Sequence, residues 1–121
     1  MKIIHVVCAA VAVAAGCTLN YPEPPLHPPR TTANDAADRI VAAHCERQRQ
    51  CVDPAKAAEA VRACVLSETK EVEGNLARNA DCARGVDVAH LDGCLASIRV
   101  QECSDDIDRA KICRSRYLCV D

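Results

Sequence analysis

Ten cysteines in 121 residues are the side chains with the most chemistry to offer in this sequence. A thiol serves as nucleophile, metal ligand, redox partner or half of a disulfide, and spacing discriminates among these uses. From Cys45 onward, successive cysteines are separated by 5, 12, 17, 11, 8, 9 and 5 residues. Structural zinc takes cysteines roughly two to four residues apart, thioredoxin-like redox sites need C-x-x-C, and covalent haem needs C-x-x-C-H; none of these spacings occurs. His44 beside Cys45 and His90 near Cys94 are the nitrogens on offer as ligand or general base. Asp87, His90 and Asp92 are close in sequence, but helix capping accounts for Asp87 and surface exposure for Asp92. The group Asp105, Asp106 and Asp108 lacks the alternating ligands and central glycine of a calcium loop and reads as favourable charge at a helix start. The sequence therefore implies no catalytic residue, no metal and no cofactor, and the expectation is a protein that is not an enzyme.

Composition removes further classes. The formal net charge is -2, so there is no basic field to hold nucleic acid. Tyr21 and Tyr117 are the only aromatic residues, which excludes base-stacking platforms and aromatic cages. Secreted phospholipases would require a glycine-rich calcium loop and a double cysteine before the histidine, and plant lipid-transfer helices would require adjacent cysteines. Both are absent. Only Cys103 and Cys113 have the spacing of a twin C-x9-C hairpin.

The remaining cysteines are explained by export. Residues 1–16 combine Lys2, an apolar run from Ile3 to Ala15 and small residues at the end, the pattern of a secretory signal peptide too short for a permanent membrane span. Ala14-Ala15-Gly16-Cys17 resembles a bacterial lipobox, in which the cysteine thiol receives a diacylglyceryl group; Ala14 stands where leucine is usual. Parity agrees with this reading, because discarding Cys8 with the signal and lipidating Cys17 leaves eight cysteines for an oxidising compartment. Residues 17–31 hold five of the six prolines and form an extended, semi-rigid tether, in which His27 is a solvated residue. No acid follows Cys17, so the expected destination is the outer membrane, with the domain facing the periplasm or the cell surface.

Residues 32–121 are then expected to be an all-α, four-helix, disulfide-rich domain. Ala37, Ile40, Val41, His44 and Cys45 lie on one face of a first helix capped by Thr32 or Asn34. Asp53-Pro54 starts a second helix with a stripe of Ala57, Val61, Cys64, Val65 and Val72, stopped by Gly74-Asn75. A polar connection carrying Cys82 passes through Asn79 and Gly85. Asp87 caps a third helix with core face Val88, Leu91, Cys94, Leu95 and Ile98. A fourth, starting near Ser104 or Asp105, carries Ile107, Ala110, Cys113 and Tyr117 on its core face. No run alternates as a strand does.

Small apolar side chains bury little area each, so a domain of this size is marginal on burial alone. Four disulfides at about 2–4 kcal/mol each are comparable with an ordinary domain's whole stability. The eight expected to pair are Cys45, Cys51, Cys64, Cys82, Cys94, Cys103, Cys113 and Cys119. Their connectivity has about 105 solutions; neighbouring helix ends point to Cys51 with Cys64 and Cys94 with Cys103. Cys45 to Asp53 and Cys113 to Asp121 share a spacing and a Cys-Val-Asp ending, as two copies of one helix-end design would.

The lipobox, the proline tether, His44-Cys45-Glu46-Arg47 with Cys51, Ala80-Asp81-Cys82, Gly85-Val86-Asp87, the run from Leu91 to Arg99, Glu102-Cys103 and Cys113-Arg114-Ser115 to Leu118-Cys119 together resemble a family of small cysteine-rich bacterial lipoproteins. One such family is labelled as associated with natural-product biosynthesis. The resemblance implies a lipid-anchored envelope protein whose partners are the membrane, through its anchor, and an unidentified envelope protein or small molecule. It implies no catalytic residues. The alternative is a small secreted enzyme or carrier for an exported lipid or metabolite, using His44 or His90.

Overall fold

The computed structural model describes Pro22, residues 27–105 and residues 111–119. The signal segment, Cys17, most of the proline tether and Asp106, Ile107, Asp108 and Ala110 lie outside the described residues.

The first helix, α1 (Ala33–Arg49), starts where the sequence places a cap: the Thr32 hydroxyl accepts from the Asp35 backbone N–H at 3.1 Å. Its apolar stripe, Ala36, Ala37, Ile40, Val41, His44 and Cys45, is buried. Asp53 caps a 3-10 turn over Pro54–Lys56 through the Ala55 N–H at 2.8 Å, and α2 (Ala57–Arg78) follows it. The helix runs through Gly74-Asn75 rather than stopping there, because burial of Leu76 outweighs the roughly 1 kcal/mol that a mid-helix glycine costs. Val65, expected in the core, is 38% exposed. It shares a face with Val72 and Leu76, but buried residues of α2 are confined to its C-terminal half, and at the level of Val65 that face meets solvent.

Gly85 turns the chain with φ 95°. A two-residue strand β2 (Val86–Asp87) then pairs antiparallel with β1 (Arg30–Thr31), in the register Arg30 to Asp87 and Thr31 to Val86. The sequence gives no sign of this ladder, since two residues are too few to alternate. It ties the end of the proline tether to the domain, reinforced by the Val88 N–H donating to the Pro29 carbonyl at 3.0 Å and by Arg30 donating to the Gly85 carbonyl at 3.1 Å. Asp87 caps α3 (Val88–Arg99) as expected, accepting from the His90 N–H at 3.0 Å, and Leu91, Cys94, Leu95 and Ile98 face the core.

Of the span expected for a fourth helix, residues 106–110 lie outside the described residues, and the described parts on either side are a turn, a 3-10 turn and a short helix. Ser104 and Asp105 belong to a turn in which Glu102 and Asp105 exchange hydrogen bonds. A 3-10 turn spans Lys111–Cys113, and α4 covers Ser115–Leu118. Leu118 is its buried residue, while Tyr117, expected in the core, is 45% exposed under the Arg116 guanidinium. Cys113 ends a 3-10 turn and Cys119 caps α4, whereas Cys45 sits inside a long helix, so the two Cys-Val-Asp segments are not copies of one design.

Four disulfides join Cys45 to Cys64, Cys51 to Cys103, Cys82 to Cys119 and Cys94 to Cys113. The pairings expected from helix ends, Cys51 with Cys64 and Cys94 with Cys103, are both replaced. In a helical hairpin, residues at equal distance from the turn face each other. Cys45 and Cys64 lie nine and ten residues either side of Pro54, which leaves Cys51, past the end of α1, to reach Cys103. The shared core of Ile40, Val86, Leu91, Ile98 and Leu118 is thus enclosed by crosslinks from α1, α2, α3 and the residue that ends α4.

Candidate functional site

The residues singled out by sequence are not assembled into one site. His44 is 5% exposed, and its Nδ1 has no hydrogen-bond partner among the described residues. His90 is exposed, and its link to Asp87 runs through its backbone N–H, not its imidazole. Asp92 pairs instead with Arg39 across α1 and α3 at 3.3 Å. All eight cysteines from Cys45 to Cys119 are in disulfides, and no group of three or more potential metal ligands occurs among the described residues. Among those residues no helix is long and apolar enough to cross a membrane.

A groove of about 700 Å³ opens elsewhere, between the C-terminal end of α2 and the segment leading into α4. Local structure places its walls. At Asn79 the backbone becomes extended (φ -89°, ψ 115°), which ends α2 and sends the chain into the 3-10 turn Ala80–Arg84. The Cys82–Cys119 bridge then brings α4 back beside the end of α2, and Cys94–Cys113 pins the preceding turn to α3. Val72, Leu76 and Cys113 provide apolar wall, while Asn75, Asn79 and Ser115 supply amides and a hydroxyl.

Three guanidiniums, from Arg78, Arg114 and Arg116, complete the lining, and among the described residues no carboxylate joins them. Arg78 folds back over Gly74, where a Cβ would lie 3.8 Å from its Nη1, and donates to the Asn75 side-chain oxygen. It sits in the last turn of α2, where a cation complements the helix dipole. Arg114 and Arg116 have no such structural duty. The Arg114 backbone is fixed, its carbonyl accepting from the N–H groups of Tyr117 at 2.8 Å and Leu118 at 3.1 Å. Among the described residues its side chain has no hydrogen-bond or ion-pair partner, and Arg116 has the Tyr117 ring, 4.9 Å from its guanidinium carbon. Sequence reasoning missed this cluster, because residues 78 and 114 are far apart in the chain and each reads as an ordinary surface arginine.

A second groove, of about 530 Å³ between α1 and α3, makes a useful contrast. Glu46 lines it, Arg39 is paired with Asp92, and Arg47 donates to the Gln101 carbonyl at 2.7 Å. Its charges are largely satisfied from within the protein.

Fold and site together define a small, disulfide-stapled helical domain carrying a cationic surface groove. The chain belongs to a family of unknown function (DUF6184), whose model matches residues 45–121. No curated protein and no solved structure matches it.

Proposed function

We propose that the protein is exported and anchored to the bacterial envelope by lipid on Cys17, where its helical domain has a non-enzymatic binding or structural role. The observation that carries this reading is the closed cysteine ledger: Cys45, Cys51, Cys64, Cys82, Cys94, Cys103, Cys113 and Cys119 are consumed pairwise. Disulfides of this density belong to oxidising compartments. Cys17, at the end of the signal-like segment, is then the one cysteine past residue 16 that is not needed for a bridge. Acyl chains there anchor firmly, since one chain binds marginally and two suffice. Absence of an acid after Cys17 supports the outer membrane as destination, and the lipobox, tether and cysteine pattern support kinship with lipoproteins associated with natural-product biosynthesis or export. The binding role is supported by the open groove at the end of α2.

Intact mass of protein released from bacterial membranes by detergent, before and after reduction, tests the anchor. The expected result is a lipid adduct on Cys17 and a gain of eight hydrogens on reduction, two for each of four bridges. An unmodified Cys17, or free thiols among the other eight, would overturn the reading. Cys17→Ser is expected to move the protein from the membrane to the soluble fraction.

A further inference from the structure

We infer that the groove between α2 and α4 binds a small amphiphilic anion, a phosphate head on an apolar body, with Arg114 and Arg116 as the residues that hold the head. This deepens the binding role proposed above and rests on it.

The first ground is electrostatic. The chain as a whole is acidic, with 17 carboxylate side chains against 15 lysines and arginines, yet among the described residues this groove is lined by three guanidiniums and no carboxylate. Cations gathered without a counter-charge repel one another, and a chain with a surplus of acids has every opportunity to neutralise them. Elsewhere on the same surface it does so: Arg49 is held by Glu46 and Arg39 by Asp92. Among the described residues Arg114 and Arg116 have no acidic partner, while Arg78 is oriented along the wall by Asn75 rather than neutralised.

The second ground is the chemistry of the donors. A guanidinium presents a planar fork of N–H groups that matches phosphate oxygens two at a time, and hydrogen bonds between ionised partners are roughly twice as strong as neutral ones. The Ser115 hydroxyl and the Asn79 side chain lie on the same lining and extend the polar end of the groove. The third ground is the apolar wall. Val72 is buried and Cys113 half-buried beneath the groove, which offers a short hydrocarbon segment a surface that inorganic phosphate could not use. A volume of about 700 Å³ is that of a site for one small organic molecule.

The test uses the full mature chain, with NMR reading the Arg78, Arg114 and Arg116 side-chain N–H signals during titration with octyl phosphate below its micelle concentration. Octanol, octyltrimethylammonium and inorganic phosphate serve as controls. Saturable shifts at these arginines are expected with octyl phosphate, with at least about tenfold weaker binding for each control, as a charge-assisted head and a buried tail together require. Arg114→Gln/Arg116→Gln is expected to lose at least about tenfold in affinity while its far-UV circular dichroism stays unchanged, since both side chains are exposed. Equal binding of octanol, equal binding of inorganic phosphate, or undiminished binding by the double variant would each overturn the assignment. Vesicles of phosphatidylglycerol against phosphatidylcholine separate the sources: arginine-dependent vesicle binding identifies a lipid headgroup, and binding of monomeric octyl phosphate alone identifies a free metabolite. Failure of the lipid anchor would appear in the mass of Cys17 and leave this titration untouched, so the two readings fail separately.

Discussion

His44 shows how one buried polar atom shapes expectations at the scale of a residue. Its Nδ1 is enclosed in the core beside Cys45 without a partner among the described residues, and a buried polar group left unpaired costs about 1–3 kcal/mol. His44→Leu keeps the apolar face of α1 continuous, so the urea midpoint is expected to stay level or rise by the equivalent of about 1 kcal/mol. Asp87 behaves oppositely, because it caps α3 from a buried position; Asp87→Ala is expected to lower stability by about 1 kcal/mol in the same measurement. At the other end of α1, Arg49 hydrogen-bonds the Glu46 carboxylate and holds it below the usual glutamate range. A lowered pKa in the folded protein means that the pair contributes stability above the ordinary glutamate pKa and loses it as pH falls through the lowered value. Titration of the Glu46 carboxyl carbon by NMR is expected to show this low midpoint, and Arg49→Gln to raise it. The pair lies on the solvent-exposed surface of α1, so its effect on global stability is small.

At the scale of elements, Gly85 is where sequence and geometry constrain each other most tightly. Its φ of 95° disfavours any residue with a Cβ, and a Cβ there would come within 2.7 Å of the Thr31 carbonyl oxygen. Gly85→Ala is expected to destabilise the domain by about 1–3 kcal/mol and to open the β1–β2 ladder, seen as faster hydrogen exchange at its amides. The bridges can be ranked in the same way. Cys51–Cys103 closes a separation of 52 residues and Cys45–Cys64 one of 19, so chain entropy assigns about 4 and about 3 kcal/mol to them. Replacing Cys51 and Cys103 by alanine is expected to lower the denaturation midpoint strongly, with little cavity contribution because Cys103 is exposed and Cys51 only half-buried. The buried faces of α1 and α3 were legible in the sequence, since Ile40, Val41, Leu91 and Ile98 recur at helical spacing and Thr32 and Asp87 mark the starts. Bridge partners were not, because they depend on which residues face each other across a turn. Val65 and Tyr117 misled for a related reason: periodicity identifies a face, and only the neighbouring elements decide whether that face is covered.

For the whole molecule, small side chains make the crosslinks decisive. The largest fully buried residues are Ile40, Leu91, Ile98 and Leu118, with no buried Phe, Tyr or Trp among the described residues, and each contributes about 1.5–3 kcal/mol. Reduction in mild, denaturant-free buffer is therefore expected to collapse the helical circular dichroism signal, and a reduced protein that kept it would show that the apolar core suffices. The arginine groove was illegible from sequence for a reason that also belongs to this scale, since the Cys82–Cys119 bridge is what carries Arg114 and Arg116 to the end of α2. That bridge has a mechanical consequence too. Between Arg30 and Cys119 the shortest covalent route runs fifteen residues to Cys45, crosses to Cys64, runs eighteen more to Cys82 and crosses to Cys119. At about 3.4 Å per residue and with both crossings included, the oxidised chain yields no more than about 120 Å under tension, against about 300 Å once fully reduced. A load arriving through the tether would thus meet a fixed stop, and because Cys51–Cys103 offers a route only slightly longer, the leash lengthens fully only when that bridge is reduced as well.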